Sequence, residues 1–382
     1  MLSGFYKQPE MTVGEKLAEV NWGLIAILTT IACVGFIMLY SAANGSFQPW
    51  ALRQMVRFAV GLCILVGVAL VDLRFWLRYA YIIYGVVLAL LVAVEVGGYI
   101  GMGAQRWINL GVINLQPSEV MKIALIIVLA RYFHSLPEEA EGKLRYLLWP
   151  TFLAALPAAL VLRQPDLGTA LMLLMVAGGM FFLAGVRLWK FAVVLGAMVA
   201  VVPVAWHFLK DYQKNRILTF LDPESDPLGA GYHILQSKIA LGSGGIFGKG
   251  FMQGSQAHLN FLPEKQTDFI FTMLAEEFGL TGGLVLLFLY GLVLVYGFSI
   301  AIRAQSHFGR LLALGMTATF FLYVFINIAM VMGLVPVVGV PLPLISYGGT
   351  SMLTLLIGFG ILIGVNVHRD MVIGRSPRMD AM

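Results

Sequence analysis

The chain has 382 residues, of which 59% are hydrophobic and only 12% charged, with a mean hydropathy of +0.86. A soluble protein carries roughly 25% charged residues. This chain lacks the polar residues to clothe a water-facing surface, which excludes a cytosolic enzyme, a disordered chain and a secreted disulfide scaffold. The formal charge of +5 is then a matter of topology rather than of nucleic acid, because loop lysines and arginines orient membrane proteins.

The first twenty residues are polar, so no cleavable signal peptide is expected. Ten runs follow that are apolar enough to cross a bilayer, each needing about 20 residues. They are 22–42, 54–71, 79–97, 118–134, 147–162, 167–185, 191–209, 269–300, 311–334 and 351–368. The eighth is overlong and is expected to tilt, kink or leave the bilayer. The fold class is therefore an all-α integral membrane protein of about ten transmembrane helices. A single polytopic domain covers 1–382, with an N-terminal segment 1–21, a long loop 210–268 between helices 7 and 8, and a tail 369–382. Cys33 and Cys63 each fall within an apolar run, where buried thiols are favoured over a bridge.

With the N-terminus inside, fourteen Lys and Arg residues lie on inner segments and eleven on outer ones. Six of those eleven sit in the loop 210–268, where charges count little toward orientation. Both termini are thus predicted to be cytoplasmic. The outer segments 98–117, 163–166, 210–268 and 335–350 are the ones rich in Gly, Pro, Asn, Gln and aromatics. Tyr232–Leu241 reads as an amphipathic stretch suited to the membrane interface. Function is expected on the outer face.

Ionisable groups near a span are costly and mark sites by default. Four stand out. In QPSEVMK, Glu119 and Lys122 are spaced i, i+3 at the outer start of the fourth span. They either neutralise each other as a packing pair or line a pocket opening outward. In RQPDLG, Arg163 and Asp166 flank a very short connection, as a turn held by its own ion pair or as part of a site. Arg53 and Arg57 open the second span, and Arg106-Trp107 precede the fourth. These arginines contact lipid phosphates or, if they converge, clamp a diphosphate through their forked guanidinium groups.

The sharpest site is LPEKQTDFIF. Thr267 reads as an N-cap, which sets Asp268 in the first helical turn, where backbone N–H groups stabilise an anion. Asp268 is then either a cap alone or a general base. Thr272 and Glu276 share its helical stripe, and Glu277 points elsewhere. The segment Gly242–Gly250 is not a phosphate-binding loop, since Ser243 and Gly250 stand where Gly and Ser/Thr are required. The six histidines make no metal-ligand spacing, and no metal site is assigned.

At these motifs the chain resembles the SEDS family of bacterial cell-wall proteins. The resemblance rests on GAQRWINLG, QPSEVMK, RQPDLGTAL, DPESDPLGAGYHILQSKIALGSGGIFGKGF, FLPEKQTDFIFTMLAEEFG and PLPLISYGGTSML, across residues 15–372. The wording FGKG, FLPEKQTDF and LAEE is closest to the elongation branch of that family. The resemblance implies a peptidoglycan glycosyltransferase of the cytoplasmic (inner) membrane that polymerises lipid II into β-1,4-linked glycan. It implies Asp268 as the catalytic residue and Glu119, Lys122, Arg53, Trp107, Arg163 and Asp166 as motif positions. In that reading Asp268 takes the proton of the acceptor hydroxyl, and the donor anomeric carbon inverts. Arg53, Arg106, Lys122 and Lys265 are the cations expected to meet the departing diphosphate.

The partners implied are lipid II and the nascent strand, a class B penicillin-binding protein transpeptidase, the elongation machinery and membrane lipids. No cofactor is assigned, and a divalent cation is neither required nor excluded. Two rival readings stay open. A lipid II flippase would set critical polar residues along the bilayer midplane, whereas here they cluster at one rim. A scaffold for the transpeptidase would leave Asp268 without a role.

Overall fold

The computed structural model describes residues 11–97, 99–101, 104–109, 114–137, 143–208, 230–258 and 264–374, with 214, 218, 219, 222 and 261 besides. Most of residues 210–229 of the predicted loop, Leu262 and Pro263, residues 1–10 and the end of the tail lie outside the described residues.

A short helix α1 (Val13–Ala18) is closed by a capping box between Thr12 and Glu15. It leads into α2 (Trp22–Ala42), α3 (Ala51–Ala69) and α4 (Leu73–Gly97). Three short strands, β1 (Tyr99–Gly101), β2 (Ala104–Asn109) and β3 (Asn114–Leu115), form an antiparallel sheet in the order β1-β2-β3. Helices α5 (Pro117–Ser135), α6 (Leu144–Arg163), α7 (Leu167–Leu183) and α8 (Leu188–Phe208) follow, then α9 (Ala230–Ser243) and α10 (Ser255–His258). The last three are α11 (Ile270–Arg303), α12 (His307–Val331) and α13 (Gly349–Val367). A helix coincides with each of the ten predicted runs. Seven of these are long and apolar enough by length and composition to cross a membrane. Helix α5 carries Glu119, Lys122 and Arg131 among its apolar residues, and α7 is only 17 residues long.

Helices α5, α12 and α13 form the buried centre, and the other helices turn Leu, Val and Phe side chains outward, as Phe152, Val193, Leu284 and Phe288 do. Lipid is as apolar as a protein core, so burial no longer sorts apolar residues to the inside. This corrects the expectation for the thiols: Cys33 and Cys63 are unbridged, as expected, but exposed rather than buried. Close helix approach instead uses small residues. On the α3–α13 seam Gly61 faces Leu356, and a Cβ on Gly360 would lie 2.7 Å from the Leu65 carbonyl. Helix α8 stands largely apart, with Leu188, Trp189, Val193, Val194 and Leu195 all exposed.

The overlong run resolves into a break. A straight helix of 34 residues would reach about 51 Å, well beyond the hydrocarbon thickness. At Gly279 the backbone turns to φ 67°, ψ −162°, a conformation glycine adopts without a Cβ penalty. The freed backbone groups are taken up by the glycine-rich segment: Lys249 and Gly250 N–H donate to the carbonyls of Glu276 and Glu277, while Leu280 and Thr281 N–H donate to Gly245 and Ile246. A side chain at Gly279 would strike Gly248 N. The glycine-rich motif is therefore an adapter for a broken helix. Helix α9 docks on α11 through Ile234, Ser237 and Ala240, with Ser237 Oγ 2.8 Å from Thr272 Oγ1.

Candidate active site

The starts of α3, α5, α7, α11 and α13 gather at one end of the bundle, together with the small sheet and the loop 335–348. That loop is the organiser. Gly168 at the start of α7 lies against the Val338 carbonyl, closer than any side chain would permit. The next residue, Gly339 (φ 71°), would place a Cβ 3.5 Å from Asp268 Oδ2. Further along, Tyr347 N–H donates to the Gln266 carbonyl at 2.8 Å, and Ser346 Oγ donates to the Thr267 carbonyl at 2.6 Å. Gln54 Nε2 on α3 donates to the Ser346 carbonyl at 2.9 Å. The starts of α7 and α11 are thereby held on either side of residues 338–339.

Asp268 sits in the turn immediately before α11, whose N-cap is Phe269. The expected Thr267 cap does not form, because Thr267 Oγ1 turns back to the Glu264 carbonyl at 3.1 Å and Oε2 at 2.9 Å. Glu264 adopts a φ of 57°, which tightens this turn. Burial, and secondarily the charge of Glu264, push the Asp268 carboxyl up to about 6. No ion pair ties Asp268 to a cation among the described residues. A partly buried carboxylate without a counter-charge, poised near neutrality, has the protonation behaviour a general base needs. Asn327 on α12 donates through Nδ2 to the Asp268 backbone carbonyl at 2.9 Å.

Glu119 and Lys122 form a closed unit, and the residue that closes it is Tyr323. Lys122 Nζ lies 2.6 Å from Glu119 Oε1 and also donates to the Tyr323 hydroxyl. Tyr323 in turn donates to Glu119 Oε2 at 2.6 Å. All three are buried, beside a cavity of about 30 Å³ lined by Ile126, Phe320 and Phe359 among others. The pair neutralises itself, and the cavity beside it is small and lined mostly by apolar side chains.

Asp166 caps α7 by accepting from Thr169 N–H at 3.1 Å, and its Oδ2 lies 3.6 Å from Arg106 Nε and 3.5 Å from Gln116 Nε2. Arg106 also donates to the Pro165 carbonyl at 2.7 Å. The short connection is therefore not held by its own ion pair. Arg163 points away, exposed, to Glu95 at 3.0 Å. Trp107 lies half-buried on β2, paired with Tyr99. Arg53 is exposed on α3, and Arg57 stacks 5.2 Å from the Tyr347 ring centre. Lys265 is buried in the Asp268 turn, and burial lowers its ammonium from the usual lysine range. Arg106 and Lys122 are thus committed to carboxylates inside the protein.

Glu277, which the sequence sets off the stripe of Asp268, Thr272 and Glu276, is buried and bonded. Ser41 Oγ donates to Glu277 Oε1 at 2.5 Å, and His258 Nε2 lies 3.2 Å from the same oxygen. Glu276 is held by Lys249 at 2.6 Å and by the Gln256 N–H at 3.0 Å. Sequence reading passed over Tyr323, Asn327 and Glu264. Tyr323 and Asn327 are polar residues one helical turn apart within an apolar run, the signal already used to single out Glu119. Among the described residues no group of three or more His, Cys, Asp or Glu could hold a metal ion.

The model of the FtsW, RodA and SpoVE family, described as cell cycle proteins, matches residues 21–371. The peptidoglycan glycosyltransferase MrdB of Escherichia coli K12 is 46% identical over 352 residues, covering 91% of this chain and 94% of that protein. The peptidoglycan glycosyltransferase RodA of Treponema pallidum is 32% identical over 92% of this chain and 99% of its own. Among solved structures, one from a peptidoglycan synthase complex described as coordinating polymerization and crosslinking matches with a TM-score of 0.79 at 33% identity, covering 92% of this chain and 98% of that one. The rod shape determining protein RodA of Thermus thermophilus matches with a TM-score of 0.69 at 29% identity, covering 92% and 98%.

Proposed function

From the fact that this chain belongs to the FtsW/RodA/SpoVE family of cell cycle proteins, we propose that it lengthens glycan strands at Asp268. The chain is a peptidoglycan glycosyltransferase with a role in cell elongation, and a multi-pass protein of the bacterial membrane. In our reading its substrate is lipid II, its active end faces outward, and its partner is a class B penicillin-binding protein transpeptidase that cross-links the product.

The observation that carries the assignment is the Asp268 carboxylate: uncompensated by a cation among the described residues, raised to about 6, and set at the loop-rich end beside the loop 335–348. In the reaction, Asp268 accepts the proton of the acceptor sugar hydroxyl as that oxygen attacks the donor anomeric carbon. The bond to the lipid diphosphate breaks as the new glycosidic bond forms. One base and no covalent intermediate give a β-linked product from an α-linked donor, which is inversion. Arg53 and Arg57, exposed or half-exposed at the start of α3, are better placed to meet the leaving diphosphate than Arg106 or Lys122, which already serve carboxylates. Glu119, Lys122 and Asp166 support the site from within.

The test is polymerisation of fluorescently labelled lipid II by the purified full-length chain. Wild type is expected to build polymer and Asp268→Asn to build none above background. Equal polymer from the two would remove Asp268 from the reaction. A wild type that moves lipid II between leaflets without joining it would replace the enzyme with a transporter.

A further inference from the structure

We infer that Asn327 is the positioning residue for Asp268, an inference that rests on Asp268 being the general base. Asn327 is wholly buried on α12. Its amide nitrogen donates both hydrogens to backbone carbonyls of two different segments: Asp268 at 2.9 Å and Val340 at 2.7 Å. The first belongs to the turn that carries the base, and the second follows Gly339, where a Cβ would lie 3.5 Å from Asp268 Oδ2. One side chain thus fixes both the backbone behind the carboxylate and the loop in front of it.

The amide is there for its donors. Its Oδ1 is buried with no hydrogen-bond partner among the described residues, a cost that an apolar side chain of similar size would avoid. What the amide leaves alone is equally informative. It binds the carbonyl of Asp268 and not the carboxylate, so the base is held in place while its oxygens stay open to the acceptor hydroxyl. Tyr323, one turn earlier on the same helix, holds Glu119 and Lys122. Helix α12 therefore sets the Asp268 turn and the buried triad at a fixed separation. A displacement of about 1 Å at a reacting group costs on the order of a hundredfold in rate, so losing this tether is expected to lower kcat without weakening substrate binding.

The experiment uses the full-length protein and dansyl-labelled lipid II, with kcat and KM followed from about pH 5 to pH 8. Wild type, Asp268→Asn, the near-isosteric Asn327→Asp and Asn327→Ser are compared, each as a monodisperse preparation with its melting temperature recorded. Both Asn327 variants are expected to lose about tenfold or more in kcat with KM within about twofold. In Asn327→Asp the acid limb of the rate is expected to rise, because a second carboxylate stands behind Asp268. The inference is overturned if a folded Asn327 variant keeps wild-type kcat and an unmoved acid limb while Asp268→Asn is inactive. It is equally overturned if KM rises and kcat does not fall. If Asp268→Asn polymerises normally, the reading of Asp268 as the base fails first, and the role of Asn327 with it.

Discussion

Two carboxylates at the same end of the bundle are treated in opposite ways. Glu119 is enclosed with Lys122 and Tyr323, each of its oxygens satisfied at 2.6 Å. Asp268 receives no counter-charge among the described residues and has Glu264 as a neighbour. A neutralised buried charge holds helices together and has little left to give a substrate. A charge left without compensation costs stability and gains proton affinity near neutral pH. The difference separates a strut from a tool, and each side of it can be broken by substitution.

The largest effect is expected at the tool. Asp268→Asn should lower the polymerisation rate by about 10²–10⁴-fold while leaving the melting temperature in detergent unchanged or higher. At the strut the sign reverses. Lys122→Met strands the Glu119 carboxylate and should destabilise the fold by about 3–5 kcal/mol, whereas Glu119→Gln with Lys122→Met together should cost less than the two singles summed. Thermal unfolding of all three variants checks this.

Gly279→Ala comes next, with a strained φ and a clash against Gly248, and should cost about 1–3 kcal/mol by the same measurement.

The smallest effect is a shift in pH dependence. Activity should be lost as pH falls through about 6, where Asp268 protonates, and Glu264→Gln should move that limb downward by removing the like charge. Because the folded carboxyl binds its proton more tightly than an unfolded one, Asp268 should make the fold less stable as pH rises from about 4 to about 6. Rate profiles and melting curves across that window test both statements.

Much of this was legible from residues alone, because membrane helices announce themselves by composition. All ten apolar runs coincide with helices, and Glu119, Lys122 and Asp268 stood out as charges where charge is costly. What stayed hidden was partnership across long sequence separations. Nothing near Arg163 in sequence says that its partner is Glu95, nor that Arg106 reaches over to Asp166. Thr267 has the composition of a cap and spends its hydroxyl on Glu264 instead. Cys33 and Cys63 were misjudged because a lipid-facing helix surface is as apolar as a core.

The break at Gly279 has a mechanical meaning. Below it α11 is a shaft embedded with the other helices. Above it, Ile270–Phe278 leads directly to the Asp268 turn, and residues 245–250 brace the break with four backbone hydrogen bonds, two to the carbonyls of Glu276 and Glu277 above it and two from the Leu280 and Thr281 N–H groups below it. The long helix is therefore jointed, with residues 245–250 clamped across the joint to both of its halves. The stiffness of that joint resides in those four bonds, and amide exchange at Leu280 and Thr281 would measure it.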